Sequence, residues 1–270
     1  MPTVKAGDIN IYYEWRGQGE PLLLIQGYGH YALHWWPLIP QLSKKYRVIF
    51  FDNRGTGRSD KPEPPYTTKM MATDAKELLD AIGIDKAHIF GVCVGGMTAQ
   101  ELALNYPDKV MSLILGYTSC GGKQAVTPTE EAMQLLFGPK MNQLPAEDRA
   151  REMTNWLWTQ GFIDAHPKAV ATYVDICTKF PTPTQGYAGQ AQAIMDHDAY
   201  DRLPLVKVPT LVMAGDSDLV NPNANSKIIA SRIPGAKLVI VKNAGHDFTE
   251  SPEAITAILD FLRRHPGGRK

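Results

Sequence analysis

Residues 91–95 read Gly-Val-Cys-Val-Gly. A thiol at the centre of a glycine-flanked pentapeptide is a candidate nucleophile. A strand that turns abruptly into a helix lifts its central side chain clear of the sheet. It also sets that side chain over free N–H groups and the positive end of the helix dipole. Ala87-His88-Ile89-Phe90 before the turn has strand character, and a helical pattern follows it until Pro107. The competing reading is a tight turn with a buried structural cysteine. A nucleophile needs a base, and the base needs an orienting acid. His246 follows the last strand pattern, next to Gly245, and Asp216 and Asp218 follow the strand pattern before it. Either aspartate could instead cap the helix begun by Pro222 or form an Asx-turn. His30, His34, His88, His166, His197 and His265 have no comparable place at a strand end. A free thiol titrates near ~8.5, and a helix N-terminus plus a histidine lowers this by about a unit or more. Cys93 would then offer thiolate near neutral pH and form thioester intermediates.

The elements that must position these residues are legible as patterns. Residues 1–16 alternate apolar and polar about Gly7-Asp8, which predicts a hairpin with a strand from Ile9 to Trp15. The run Pro21–Ile25 is continuously apolar and Tyr46–Phe51 is apolar but for Arg47, as strands buried on both faces are. Residues 67–84 have helical periodicity, with Met70, Met71, Leu78, Leu79 and Ile82 on one side. Strand and helix patterns alternate to about residue 119 and resume at about 206. This predicts an α/β fold: a mostly parallel, eight-stranded twisted sheet with helices on both faces. Residues 120–205 carry helical patterns and no clear strand. The expected organisation is a core domain of 1–119 and 206–270 with a helical cap, 120–205, inserted in it.

The chain has 270 residues, with 28 Lys plus Arg against 28 Asp plus Glu. Zero net charge speaks against a nucleic-acid or anionic-membrane partner. Three cysteines (Cys93, Cys120, Cys177) without paired spacing speak against a disulfide framework. No apolar run reaches the roughly 18 residues needed to span a bilayer, and the first residues lack a signal-peptide core. A cytoplasmic setting is expected. Cys120 and Cys177 are expected as inert fillers.

In order and context, several motifs resemble those of the α/β-hydrolase family almost end to end. They are Gln26-Gly27 where the family usually has His-Gly, Asp52-Asn53-Arg54-Gly55-Thr56-Gly57-Arg58-Ser59, the turn Gly91–Gly95, Gly215-Asp216-Ser217-Asp218 through Pro222, and Gly245-His246. The order nucleophile, acid, histidine is also that family's. The flavour is that of small bacterial esterases and enol-lactonases. The resemblance implies a Cys93–His246–Asp218 triad, with the acid at Asp218 rather than Asp216. It further implies oxyanion-binding N–H groups on Tyr28 and Val94, a helical cap, no cofactor and no metal. Gln26 departs from the usual histidine, which bears on the support of its loop. Asp52 and Arg54 are expected to fix their loop by mutual pairing. Trp35, Trp36, Trp156 and Trp158 are most often packing residues, yet some of them are expected to line an apolar pocket with Gln26.

The elbow of this family usually holds serine. Dienelactone hydrolases and polyhydroxyalkanoate polymerases in the fold use cysteine, so Cys93 is either a native nucleophile or a replacement for serine. The expected activity is cofactor-independent hydrolysis of a small ester, lactone or thioester, with a small acyl compound as partner. Acyl transfer, C–C bond hydrolysis and a weakly catalytic ligand-binding role are the alternatives. Self-association as a homo-oligomer stays open.

Overall fold

A computed structural model describes residues 2–138, 141 and 143–267. Eight strands form one sheet: β1 (Thr3–Ala6), β2 (Ile9–Arg16), β3 (Glu20–Ile25), β4 (Tyr46–Phe51), β5 (Ala87–Val92), β6 (Val110–Gly116), β7 (Thr210–Gly215) and β8 (Lys237–Val241). Their spatial order is β1-β2-β4-β3-β5-β6-β7-β8. β1 and β2 pair antiparallel, as do β2 and β4, and every other neighbour pair is parallel.

Side chains alternate across the strands, so consecutive residues of β3 feed two different cores. Leu23 and Ile25 pack with Ile49, Ile89, Leu113 and Val212 on one face. Leu22 and Leu24 pack with Val48, Phe90, Ile114 and Met213 on the other. The first face is covered by helices α2 (Thr68–Ala81), α3 (Val94–Asn105) and α9 (Asn223–Arg232), which follow a short helix α1 (Ile39–Leu42) and further helices named below. Thr67 caps α2 by accepting the Met70 amide. Met71, Leu78 and Leu79 are buried as the periodicity predicts, whereas Met70 is exposed. The second face is covered by the turn Ala32–Trp35 and by α10 (Pro252–Arg264). Ser251 caps α10 by accepting the Ala254 amide.

Between β6 and β7 the chain forms α4 (Glu130–Phe137), α5 (Ala146–Leu157), α6 (Gln160–Ala165), α7 (Pro167–Lys179) and α8 (Thr184–Met195). The pattern over 146–162 reads as one helix but forms two. The chain extends at Trp158, and the Thr159 side chain caps α6 by accepting the Phe162 amide. Ala150, Leu157, Trp158, Tyr173 and Val174 form a small core of their own. A single bridge between Gly121 and Asp198 joins the two ends of this helical stretch.

Candidate active site

Cys93 stands between β5 and α3 with φ 52° and ψ −122°, a conformation costly for a side chain with Cβ and held by its surroundings. A Cβ on Gly91 would lie 2.2 Å from the Gly95 carbonyl oxygen, and one on Gly95 would lie 2.2 Å from that of Ile25. The two glycines are therefore required by the close approach of α3 to β5 and β3. The Cys93 amide donates to Gly116 O at 3.1 Å, and its carbonyl accepts from Gly96 and Met97 amides and from the Thr118 hydroxyl at 2.6 Å. These bonds lock the backbone and leave the Val94 amide facing the sulfur.

Four influences act on that sulfur. Burial pushes the thiol pKa up. His246, by hydrogen bond and charge, and the backbone amides of Tyr28 and Val94, by hydrogen bonds, outweigh it and bring the pKa below its ordinary value of 9.0. His246 Nδ1 lies 3.0 and 2.9 Å from the two carboxylate oxygens of Asp218. Burial alone would push the imidazole pKa down, but Asp218 and then Cys93 hold it well above 6.5. Both side chains are shielded, at 5% and 0% exposure. Asp218 Oδ1 also accepts the amides of Val220 and Asn221, each at 2.8 Å, so its turn after β7 fixes the carboxylate. The Tyr117 ring packs on His246 at 4.6 Å between centroids. The surroundings thus favour the charged form of each group, the thiolate at Cys93 and the imidazolium at His246. Asp216 points elsewhere, accepting from Ser217 and the Ala244 amide.

The loop carrying Tyr28 is held from both sides. Gln26 Oε1 accepts the Gly27 amide at 2.9 Å, and Asn53 donates to Gln26 O at 2.9 Å. Gln190 of α8 accepts the Gly29 amide at 2.8 Å. Gln26 thus folds back on its own loop where the family usually has histidine.

The family model of the alpha/beta hydrolase fold matches residues 20–251. The chain belongs to the α/β-hydrolase family. Over 264 residues it is 31% identical to a protein named "Putative carbamate hydrolase RutD" from Azorhizobium caulinodans, covering 96% of this chain and 97% of that one. It is 28% identical to 3-oxoadipate enol-lactonase 2 of Acinetobacter baylyi, over 97% of this chain and 96% of that one. The crystal structure of the enol-lactonase from Burkholderia xenovorans LB400 superposes with a TM-score of 0.86 at 26% identity, over 97% of this chain and 100% of that one.

In this α/β hydrolase Cys93 and His246 line a cavity of about 620 Å³, mouth included, with Gln26, Trp36, Trp158 and Tyr173 among its walls. They also line a larger, more apolar space of about 980 Å³ bordered by Met97, Met133, Phe137 and Ile194. Two of the expected pocket residues lie elsewhere. Trp35 is fully buried beneath the sheet against Phe90, 5.2 Å between centroids, because the Ala32–Trp35 turn aims its ring at the core. Its neighbour Trp36 takes the wall position instead. Trp156 is half-buried and outside the cavity lining, since α5 buries Ala150, Thr154 and Leu157. The expected pairing of Asp52 with Arg54 is also absent. Asp52 pairs with Arg58 at 2.8 Å, while Arg54 reaches across to Asp74 of α2 at 2.6 Å and to Asp8 at 3.0 Å. The two side chains leave the strand end in different directions, Asp52 to a partner six residues on in the same loop and Arg54 to partners 20 and 46 residues away.

Sequence position gives His30 and His34 no part in the site, yet the fold does. Both line the cavity, stacked at 4.1 Å, with His30 Nε2 3.0 Å from the Tyr173 hydroxyl. Their only sequence signal is closeness to the Gln26-Gly27 loop. Among the described residues no group of three or more His, Cys, Asp or Glu is placed to hold a metal ion, and no helix is long and apolar enough to cross a membrane.

Proposed function

We propose that this α/β hydrolase cleaves a small ester, lactone or thioester through a covalent acyl intermediate on Cys93. The observation that carries the reading is the sulfur itself. It stands at the N-terminus of α3 and lines one cavity with Tyr28 and with His246, whose Nδ1 is held by Asp218.

The Cys93 thiolate attacks the carbonyl carbon, and the carbonyl oxygen takes the negative charge. The Tyr28 and Val94 amides, aimed at this spot, stabilise that oxyanion; one such donor is typically worth about 3–4 kcal/mol. The tetrahedral species collapses, the leaving oxygen or sulfur takes the proton of the His246 imidazolium, and a thioester remains. Neutral His246 then removes a proton from water as it attacks the thioester. Collapse of the second tetrahedral species expels the thiolate and releases the acid, restoring the ion pair. Asp218 keeps the imidazole oriented and stabilises its charged form. The α4–α8 stretch is proposed as the cap that closes the cavity and excludes bulk water.

Intact-mass spectrometry after mixing with an activated acyl ester tests this. One acyl group on Cys93, accumulating further in His246→Ala, is expected. Absence of both adduct and turnover over about pH 6–9 overturns the reading. Ligand-induced thermal stabilisation without product would favour a binding role.

A further inference from the structure

Among the described residues eight buried polar side-chain atoms have no hydrogen-bond partner in the protein. Two of them, His197 Nε2 and Asn221 Nδ2, belong to residues in the wall of the larger apolar space that Cys93 and His246 also line. The others belong to residues outside that wall.

His197 follows α8, and its side chain is fully shielded. Its Nδ1 lies 3.0 Å from the Thr68 hydroxyl of α2 and 3.9 Å from Oε1 of Glu101 on α3. Burial keeps the ring neutral by bringing its pKa down to about 4. In a neutral imidazole one nitrogen carries the proton and the other a lone pair. The Glu101 carboxylate draws the proton to Nδ1, which leaves Nε2 as an acceptor. The ring edge beside Nε2 faces Gly121, where a Cβ would lie 3.1 Å from Cδ2, and Gly121 belongs to the same wall.

Asn221 is oriented by a relay of amides. Asn225 of α9 accepts the Val126 amide at 2.7 Å and donates to Val126 O at 2.9 Å. The same Nδ2 donates to Asn221 Oδ1 at 2.8 Å. The Asn221 oxygen is thereby engaged, and its NH2 group is a donor without an acceptor. The rest of the wall sets the polarity of what can meet these two groups. No Lys, Arg, Asp or Glu among the described residues lines the space, and Met97, Met133, Phe137 and Ile194 give it an apolar body. An ionised group would enter without a counter-ion, whereas an alkyl chain gains by leaving water. A buried acceptor and a buried donor left unmade each cost free energy. A hydroxyl can donate to the first and accept from the second.

We propose that this space seats an uncharged, hydroxyl-bearing apolar chain of the substrate, with His197 Nε2 accepting the hydroxyl proton and Asn221 Nδ2 donating to an oxygen of the same chain. The substrate class is thereby an ester or lactone with a neutral hydroxyl remote from the carbonyl, on its acyl or its alcohol part. The reacting end of this proposal rests on the Cys93 chemistry proposed above; the hydroxyl end does not.

The test uses two series. Methyl ω-hydroxyhexanoate, ω-hydroxyoctanoate and ω-hydroxydecanoate carry the hydroxyl on the acyl part. Acetate monoesters of the hexane, octane and decane α,ω-diols carry it on the alcohol part. Each is compared with its twin lacking the hydroxyl. The wild type is expected to favour the best hydroxylated ester of one series over its twin by about tenfold or more in kcat/KM. A purely apolar wall would give the reverse order, because burying a hydroxyl without partners is unfavourable. A ratio below about threefold in every pair overturns the proposal. His197→Phe and Asn221→Leu each delete one partner and should lower the ratio about threefold or more, with the fall on the hydroxylated ester. His197→Gln keeps an acceptor and should restore part of it. Asn221 is half-buried in a loop, so its variant reads the site should the His197 variants fail to fold. Equal falls on both members of a pair, leaving the ratio unchanged, overturn the site. Should the wild type cleave none of the esters, the Cys93 chemistry fails and calorimetry with the same esters reads the space alone. Tighter binding of a hydroxylated ester than of its twin, reduced in Asn221→Leu, supports the site. Equal or tighter binding of every twin, or no binding at all, overturns it.

Discussion

Replacing Asp218 by asparagine changes one atom type and should disarm the site. The Asp218 oxygens lie 2.9 and 3.0 Å from His246 Nδ1, and both side chains are almost wholly shielded. Charge centres about 4 Å apart attract by about 4 kcal/mol at an effective dielectric of about 20, or about 3 pKa units. That is the size of the push needed to hold a buried imidazole above its ordinary 6.5. An asparagine oxygen can still accept the Val220 and Asn221 amides, which fixes the orientation of its NH2 group toward His246. The imidazole must then accept through Nδ1 and carry its proton on the nitrogen facing Cys93. In that tautomer it takes no proton from the thiol, and the ion pair reverts to a neutral thiol. The ultraviolet absorbance of the thiolate, titrated against a Cys93→Ala blank, is expected to shift upward by at least about 1 pKa unit. Turnover near neutral pH should fall by about 10³–10⁴, the usual consequence of trapping the wrong tautomer. A thiolate titration in Asp218→Asn that overlays the wild type would refute this account of the site's electrostatics.

Four further outcomes follow from the geometry. The pH profile of kcat/KM should have an acid limb below 9.0, where the depressed Cys93 thiol gains its proton, and an alkaline limb near about 10, where the raised His246 loses its own; limbs at unperturbed values would contradict the ion pair. Iodoacetamide should label Cys93 well before Cys120 and Cys177, because burial pushes those thiols up to about 11 and about 12; peptide mapping that finds comparable rates counts against it. Gly95→Ala places a Cβ 2.2 Å from Ile25 O, so denaturant unfolding should show a loss of about 1–3 kcal/mol or more, with activity falling further; a fully active, equally stable variant would mean the elbow yields readily. Arg54→Met leaves Asp74 buried without its guanidinium, at 5% exposure, and should cost about 3–5 kcal/mol in urea unfolding; a loss below about 1 kcal/mol would show that the Asp74 carboxyl finds other compensation.

Residues near in sequence, or tied to a regular element, were legible before any tertiary structure. Apolar runs such as Leu22–Ile25 read as strands covered on both faces, and their alternation with helical patterns implies the parallel order seen in the sheet. The spacing of Gly91 and Gly95 about Cys93 carries its own local reason, because only residues without Cβ allow that turn. Asp218 and His246 were locatable as loop residues following β7 and β8.

The lining of the cavity was not legible in this way. Amphipathic helices such as α5 and α7 announce that one face is covered, but not what covers it. Trp35 and Trp36 are adjacent and chemically alike, yet one turn of backbone sends the first into the core and the second to the cavity wall. Arg54 finds Asp74 rather than Asp52, and His30 meets Tyr173, because partners are set by where separate segments cross. The sequence by itself determined the sheet, the strained turn and the chain order of Cys93, Asp218 and His246 at their strand ends, since these depend on local sterics and burial periodicity. Only the tertiary structure decided the surroundings of Cys93, the fate of each tryptophan and the partner of Arg54, since each depends on distances between segments that no local pattern encodes.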